Sequence, residues 1–127
     1  MIIPTLRMLS STRIDVQHGP VDQEMFCEWL DLDIEAESGG RHYGGESFTL
    51  AVCSVAWLGR ELQNRRALWG RPYLIVRRWD YPLLLRVASD LCLNSQAEMW
   101  NDIVINLSRF VNVDTLDIPP GGERNIK

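Results

Sequence analysis

The chain has no C-x-x-C pair, only three cysteines (Cys27, Cys53 and Cys92) and only two histidines, His18 and His42. An odd cysteine count without paired spacing excludes a zinc ribbon and a disulfide framework, and the apolar surroundings make all three small buried hydrophobes. A basic excess is also missing. The formal net charge is −4 and the sequence pI is about 5.1. A protein that holds a phosphate backbone usually neutralises it with surplus Lys and Arg. The acidic balance suits a basic protein partner instead, because opposite charges speed encounter. No apolar run approaches the ~20 residues of a membrane helix. Pro4 and Arg7 interrupt the first nine residues, which do not read as a secretory signal. With free cysteines, the expected compartment is the cytoplasm. Neither an internal repeat nor a low-complexity tract is present.

Catalytic motifs are missing too. There is no G-x-S-x-G, no H-E-x-x-H and no phosphate loop, since Gly39-Gly40 and Gly44-Gly45 lack a following Lys-Ser or Lys-Thr. No catalytic residue, cofactor-binding residue or metal ligand is therefore assigned, and no cofactor is expected. Two alternatives stay open. Cys27 or Cys53 could meet His42 across a hairpin as the nucleophile pair of a small hydrolase, although buried thiols disfavour the thiolate. Arg65, Arg66, Arg71, Arg77 and Arg78 form a loose basic cluster, as in a nucleic-acid-binding regulator.

What is present is enough for one compact domain. The 127 residues are 46% hydrophobic and 24% charged, which supports a core and argues against disorder. Residues 10–23 read as an irregular lead-in with a short strand near Arg13–Val16. Over Phe26–Glu37, Leu30, Leu32, Ile34 and Ala36 alternate with Asp31, Asp33, Glu35 and Glu37, which predicts a half-buried strand with an acidic outer face. The four glycines of residues 38–45 predict a turn into a second strand, Ser47–Cys53. Ser54 opens a helix that runs to Gly70. Tyr73–Val76 is a third strand. Asp80 caps a second helix with Pro82 in its first turn. Ser95-Gln96-Ala97-Glu98 reads as a capping box for a third helix, and Phe110–Leu116 returns to alternation. The order β-β-α-β-α-α-β predicts an α+β fold, a mostly antiparallel sheet of four to five strands with two or three helices on one face. Residues 1–118 form the expected domain, and Pro119-Pro120-Gly121-Gly122 predicts a flexible tail over 119–127.

The acidic strand is the most unusual feature. Its carboxylates recur every ~7 Å along one face. They neither converge on a metal nor oppose one another across a cleft. Two readings remain, a solvated face that deters aggregation and a docking strip for a basic partner. Five tryptophans are also many for this length. Trp57, Trp69 and Trp100 occupy helix positions that can face the core. Trp29 lies on the acidic face, where an exposed indole can serve as a binding hot spot.

The run Phe48-Thr49-Leu50-Ala51-Val52-Cys53-Ser54-Val55-Ala56-Trp57-Leu58 resembles the strand-to-helix signature F-x-x-x-V-C-(T/S)-P-x-W-L of the immunity protein 8 family. The resemblance continues through Gly70–Tyr81, Trp100 and Leu107–Phe110, and spans about Leu30 to Asp114. Val55 stands where the family usually has Pro, and the family's acidic-aromatic last strand is represented by Val111-Asn112-Val113-Asp114. Members accompany bacterial polymorphic toxins, including those of contact-dependent growth inhibition. The resemblance therefore implies a non-catalytic protein that binds and neutralises a cognate toxin domain. Many such toxins are basic nucleases, against which an acidic strip mimics phosphate. The expected toxin-binding residues are Trp29, Asp31, Asp33, Glu35, Glu37 and Asp114.

Overall fold

The computed structural model describes residues 1–115 of the chain. The end of the expected domain and the expected tail at 119–127 lie outside them. In chain order the elements are β1 (Thr5–Ser10), β2 (Cys27–Ser38), β3 (Arg41–Tyr43), β4 (Glu46–Ser54), α1 (Val55–Asn64), β5 (Tyr73–Val76), α2 (Tyr81–Asn94), α3 (Trp100–Leu107) and β6 (Asn112–Thr115). This is the expected α+β architecture with six strands instead of four or five.

One additional strand is β1. It pairs antiparallel with β2, through a register shift between Leu6 and Met8. That bulge breaks the alternation of apolar residues and hides the strand from a period-of-two reading. No strand forms at Arg13–Val16. There the Ser11 hydroxyl accepts from the N–H groups of Arg13 and Ile14, and the Asp15 carbonyl accepts from those of His18 and Gly19, so the backbone closes into turns.

The other additional strand comes from a division of the hairpin's return arm. Gly39 and Gly40 have φ of 60° and 77° and sit between the paired Ser38 and Arg41, the conformation a two-residue hairpin turn requires. Tyr43 then pairs with Ala36, but Phe48 pairs with Leu32. One extra residue around Gly44-Gly45 shifts the register, and Gly45 takes a φ of 97°. The arm is thus broken into β3 and β4.

β4 is central. It pairs antiparallel with β2 along one edge, and parallel with β5 and antiparallel with β6 along the other. Phe48, Leu50 and Val52 of β4 join Leu30, Leu32, Ile34 and Ala36 of β2 in the core. Leu84, Ala88 and Cys92 of α2 and Ile103 and Leu107 of α3 complete it, so two of the three helices cover this face. The expected Asp80 cap is present, accepting from the Leu83 N–H at 3.1 Å.

The third helix begins at Trp100, not Ser95. Ala97 exchanges two backbone hydrogen bonds with Ile2, which holds this segment extended. Ser95 instead ends α2, its hydroxyl donating to the Leu91 carbonyl. α1 stops at Asn64 rather than Gly70. Arg65 and Arg66 stand where its apolar stripe would continue, so nothing holds a further turn to the sheet. Trp69, expected at a core-facing helix position, lies beyond the helix and is 88% exposed.

Candidate functional site: an acidic open sheet face

Side chains alternate across a strand, so burial of Leu30, Leu32, Ile34 and Ala36 turns Trp29, Asp31, Asp33, Glu35 and Glu37 to the opposite face. Asp31, Asp33, Glu37 and Trp29 are exposed and Glu35 is half-buried. Pairing extends the face sideways. Asp31 lies between Ser10 of β1 and Thr49 of β4, and Thr49 lies beside Asn112 of β6. Asp114 is exposed and pairs with Ser47, on the same face, roughly 10 Å from the β2 row at two strand spacings. All six expected toxin-binding residues therefore share one surface.

The carboxylates are not equivalent. Glu35 meets Arg7 Nη1 at 3.1 Å and His42 Nε2 at 3.0 Å. His42 Nδ1 lies 3.7 Å from Glu37. Asp31 and Asp33 form no ion pair among the described residues. Met8, 55% exposed, pairs with Asp33. The row thus divides into an end near the hairpin turn, where Glu35 is matched by Arg7 and bonded to His42, and an open anionic centre at Asp31 and Asp33. From the sequence, neither Arg7 nor His42 is assigned to this face, and His42 is considered only as a partner for Cys27 or Cys53. His42 was within reach of it, since a two-residue turn at Gly39-Gly40 sets it opposite Glu37. Arg7 was not, because its position depends on the β1 bulge.

At the other end of the face the surface turns aromatic. Trp29, 47% exposed, lies 6.4 Å from Tyr73 between ring centroids, and Tyr73 lies 6.1 Å from Trp57 of α1. The order Trp29–Tyr73–Trp57 braces an indole that is half open to solvent. α1 is fastened there by Ser54, a fully buried N-cap whose hydroxyl accepts from Trp57 N–H and Phe26 N–H, each at 3.1 Å.

The alternative chemistry finds no geometry. Cys27 and Cys53 pair at the α1 end of β2, whereas His42 pairs with Glu37 near the turn. Ten residues of extended strand, about 33 Å, separate the two ends. A nucleophile pair of Cys27 or Cys53 with His42 is therefore ruled out. Burial also raises all three thiols, Cys27 and Cys92 to about 11. Three of the five clustered arginines are engaged internally. Arg65 faces Glu61 at 3.5 Å, Arg78 faces Glu24 at 3.9 Å, and Arg71 donates to the carbonyls of Ser108 and Val111. Among the described residues no three His, Cys, Asp or Glu side chains converge on a possible metal position, and no helix is long and apolar enough to cross a membrane.

The sequence model of the immunity protein 8 family matches residues 5–114, from the first residue of β1 to the exposed Asp114 of β6. The chain belongs to the immunity protein 8 family. As an immunity protein it acts against a toxin, and a toxin protein is its partner. The match takes in β1 and the lead-in, which lie outside the stretch where the sequence resemblance was legible. No curated protein and no solved structure matches this immunity protein.

Proposed function

We propose that this immunity protein neutralises its toxin in the cytoplasm by laying the open face of its sheet over a basic, phosphate-binding surface of a nuclease domain. The observation that carries this reading is the pair Asp31 and Asp33, exposed and without an ion pair among the described residues, beside a braced, half-exposed Trp29. Their spacing of ~7 Å along the strand is close to that of successive phosphates on an extended strand of nucleic acid. Opposite charge accelerates encounter, and the indole supplies the apolar anchor that holds the complex. Glu37 borders the anionic centre on the turn side and Asp114 lies across the sheet on the same face, while Glu35 positions Arg7 and His42 at the border. Inhibition is steric and electrostatic, with no chemical step and no cofactor. The partner this reading names is a polymorphic toxin, a class that includes those of contact-dependent growth inhibition.

The test uses the toxin domain encoded beside this chain. Asp31→Asn with Asp33→Asn is expected to weaken binding about ten-fold and to flatten its dependence on salt. Trp29→Ala is expected to cost about 2 kcal/mol of binding. Both variants are expected to lose protection of growing cells while remaining folded. Unchanged affinity and salt dependence in the double variant overturn the assignment of this face.

A further inference from the structure

Cys27 and Cys53 lie directly opposite each other across β2 and β4. In the same register the Ser54 N–H donates to the Phe26 carbonyl at 3.0 Å and the Phe26 N–H turns to the Ser54 hydroxyl at 3.1 Å, so Phe26 and Ser54 stand at a hydrogen-bonding position of the ladder. Pair types alternate along an antiparallel ladder, so Cys27 and Cys53 occupy a non-hydrogen-bonded site. Opposed Cα atoms approach to about 4.5 Å at such a site, inside the 4.4–6.8 Å range that disulfides span. Both side chains leave the sheet on the face that carries Trp29. Both are free thiols; Cys53 is fully buried and Cys27 is partly open to solvent.

We propose that Cys27 and Cys53 are a cross-strand dithiol that closes to a disulfide when the folded protein meets a small-molecule disulfide oxidant. The accessibility difference sets the order of events. Cys27 loses its proton, and its thiolate attacks one sulfur of the oxidant RSSR. One RS⁻ leaves, and Cys27 becomes a mixed disulfide. The Cys53 thiolate then attacks the Cys27 sulfur, the mixed bond breaks, and a second RS⁻ leaves. Two protein thiols are oxidised and RSSR is reduced to two RSH, which take up the two protons. Burial and the nearby Cys53, Glu28 and Glu61 hold the Cys27 thiol near 11, so the reaction is slow at neutral pH and accelerates in mild alkali. The new bond ties the start of β2 to the end of β4, beneath the aromatic end of the toxin-facing surface. Cys92 belongs to α2 on the opposite side of the sheet and takes no part.

The experiment incubates the full native chain with oxidised glutathione and records intact mass and a tryptic map. Arg41 lies between the two cysteines and Arg86 precedes Cys92, so trypsin releases the three in separate peptides unless a disulfide joins them. The expected product is lighter by two hydrogens, contains a Cys27–Cys53 linked peptide and keeps Cys92 reduced. Cys53→Ala is expected to stop at a mixed disulfide on Cys27, and Cys27→Ala to resist oxidation while folded. The wild-type result alone decides the matter if either variant fails to fold. A wild-type protein that stops at the glutathione adduct, links Cys92 instead, or stays fully reduced overturns the proposal. None of these outcomes depends on the toxin, so they leave the assignment of the acidic face untouched.

Discussion

Asp33 and Glu35 are neighbours on one face of β2, yet Glu35 is held by Arg7 and His42 while Asp33 lies beside Met8. A carboxylate's value to a partner depends on whether the chain has already matched its charge. Trp79 shows the same dependence on surroundings. In the sequence it is one of five indoles, directly before the Asp80 cap. In the fold it is 6% exposed, packs edge-on against Phe26 at 5.4 Å, and donates its Nε1–H to the Val16 carbonyl. It thereby fastens the irregular lead-in to the body. Gly19 makes this possible, because a Cβ there would overlap the indole ring and its φ is +84°. Gly19→Ala is expected to cost about 3 kcal/mol, from the left-handed backbone and the steric overlap together. A urea midpoint that drops at unchanged slope checks this, and an unchanged midpoint contradicts it.

Elements differ in how they are held. α2 presents Leu84, Ala88 and Cys92 to the core, and its periodicity was readable because packing and propensity agree there. α1 buries no residue fully and depends on its cap and on Trp57 against Tyr73. Ser54→Ala removes the acceptor for two N–H groups at once and is expected to destabilise the protein by about 2 kcal/mol. Hydrogen exchange gives the more specific readout. Amides of α1 should lose protection before those of α2, whereas uniform loss would assign the whole effect to the core. The strands tell a related story. β2 and β5 were legible almost to the residue because each is regular over its length. β1 and the division between β3 and β4 were not, because bulges place an unpaired residue where a strict period of two expects a match.

Across the whole molecule, buried thiols make stability depend on alkaline pH. Burial raises the Cys92 thiol from 9.0 to about 11. Below pH 9 the thiol is protonated in both folded and unfolded chains, so its contribution is fully present. Between pH 9 and 11 the unfolded chain releases the proton first, and stability falls by up to about 1.4 kcal/mol per pH unit for this group. Cys92→Ala is expected to flatten that decline while lowering stability at pH 7, as measured by urea unfolding across the range. A decline as steep in the variant as in the parent would assign the effect to other groups.

The sequence by itself determined the α+β class, the two faces of β2, the caps at Ser54 and Asp80, and the acidic strip. Each is a local pattern in which neighbouring residues carry all the information. The tertiary structure alone decided which acids are free, why Trp69 is exposed, and that Cys27 meets Cys53 but not His42. Those outcomes depend on register between segments distant in the chain. A one-residue shift at Gly44-Gly45 or in β1 changes which side chains meet, and no periodicity within a single segment reports it.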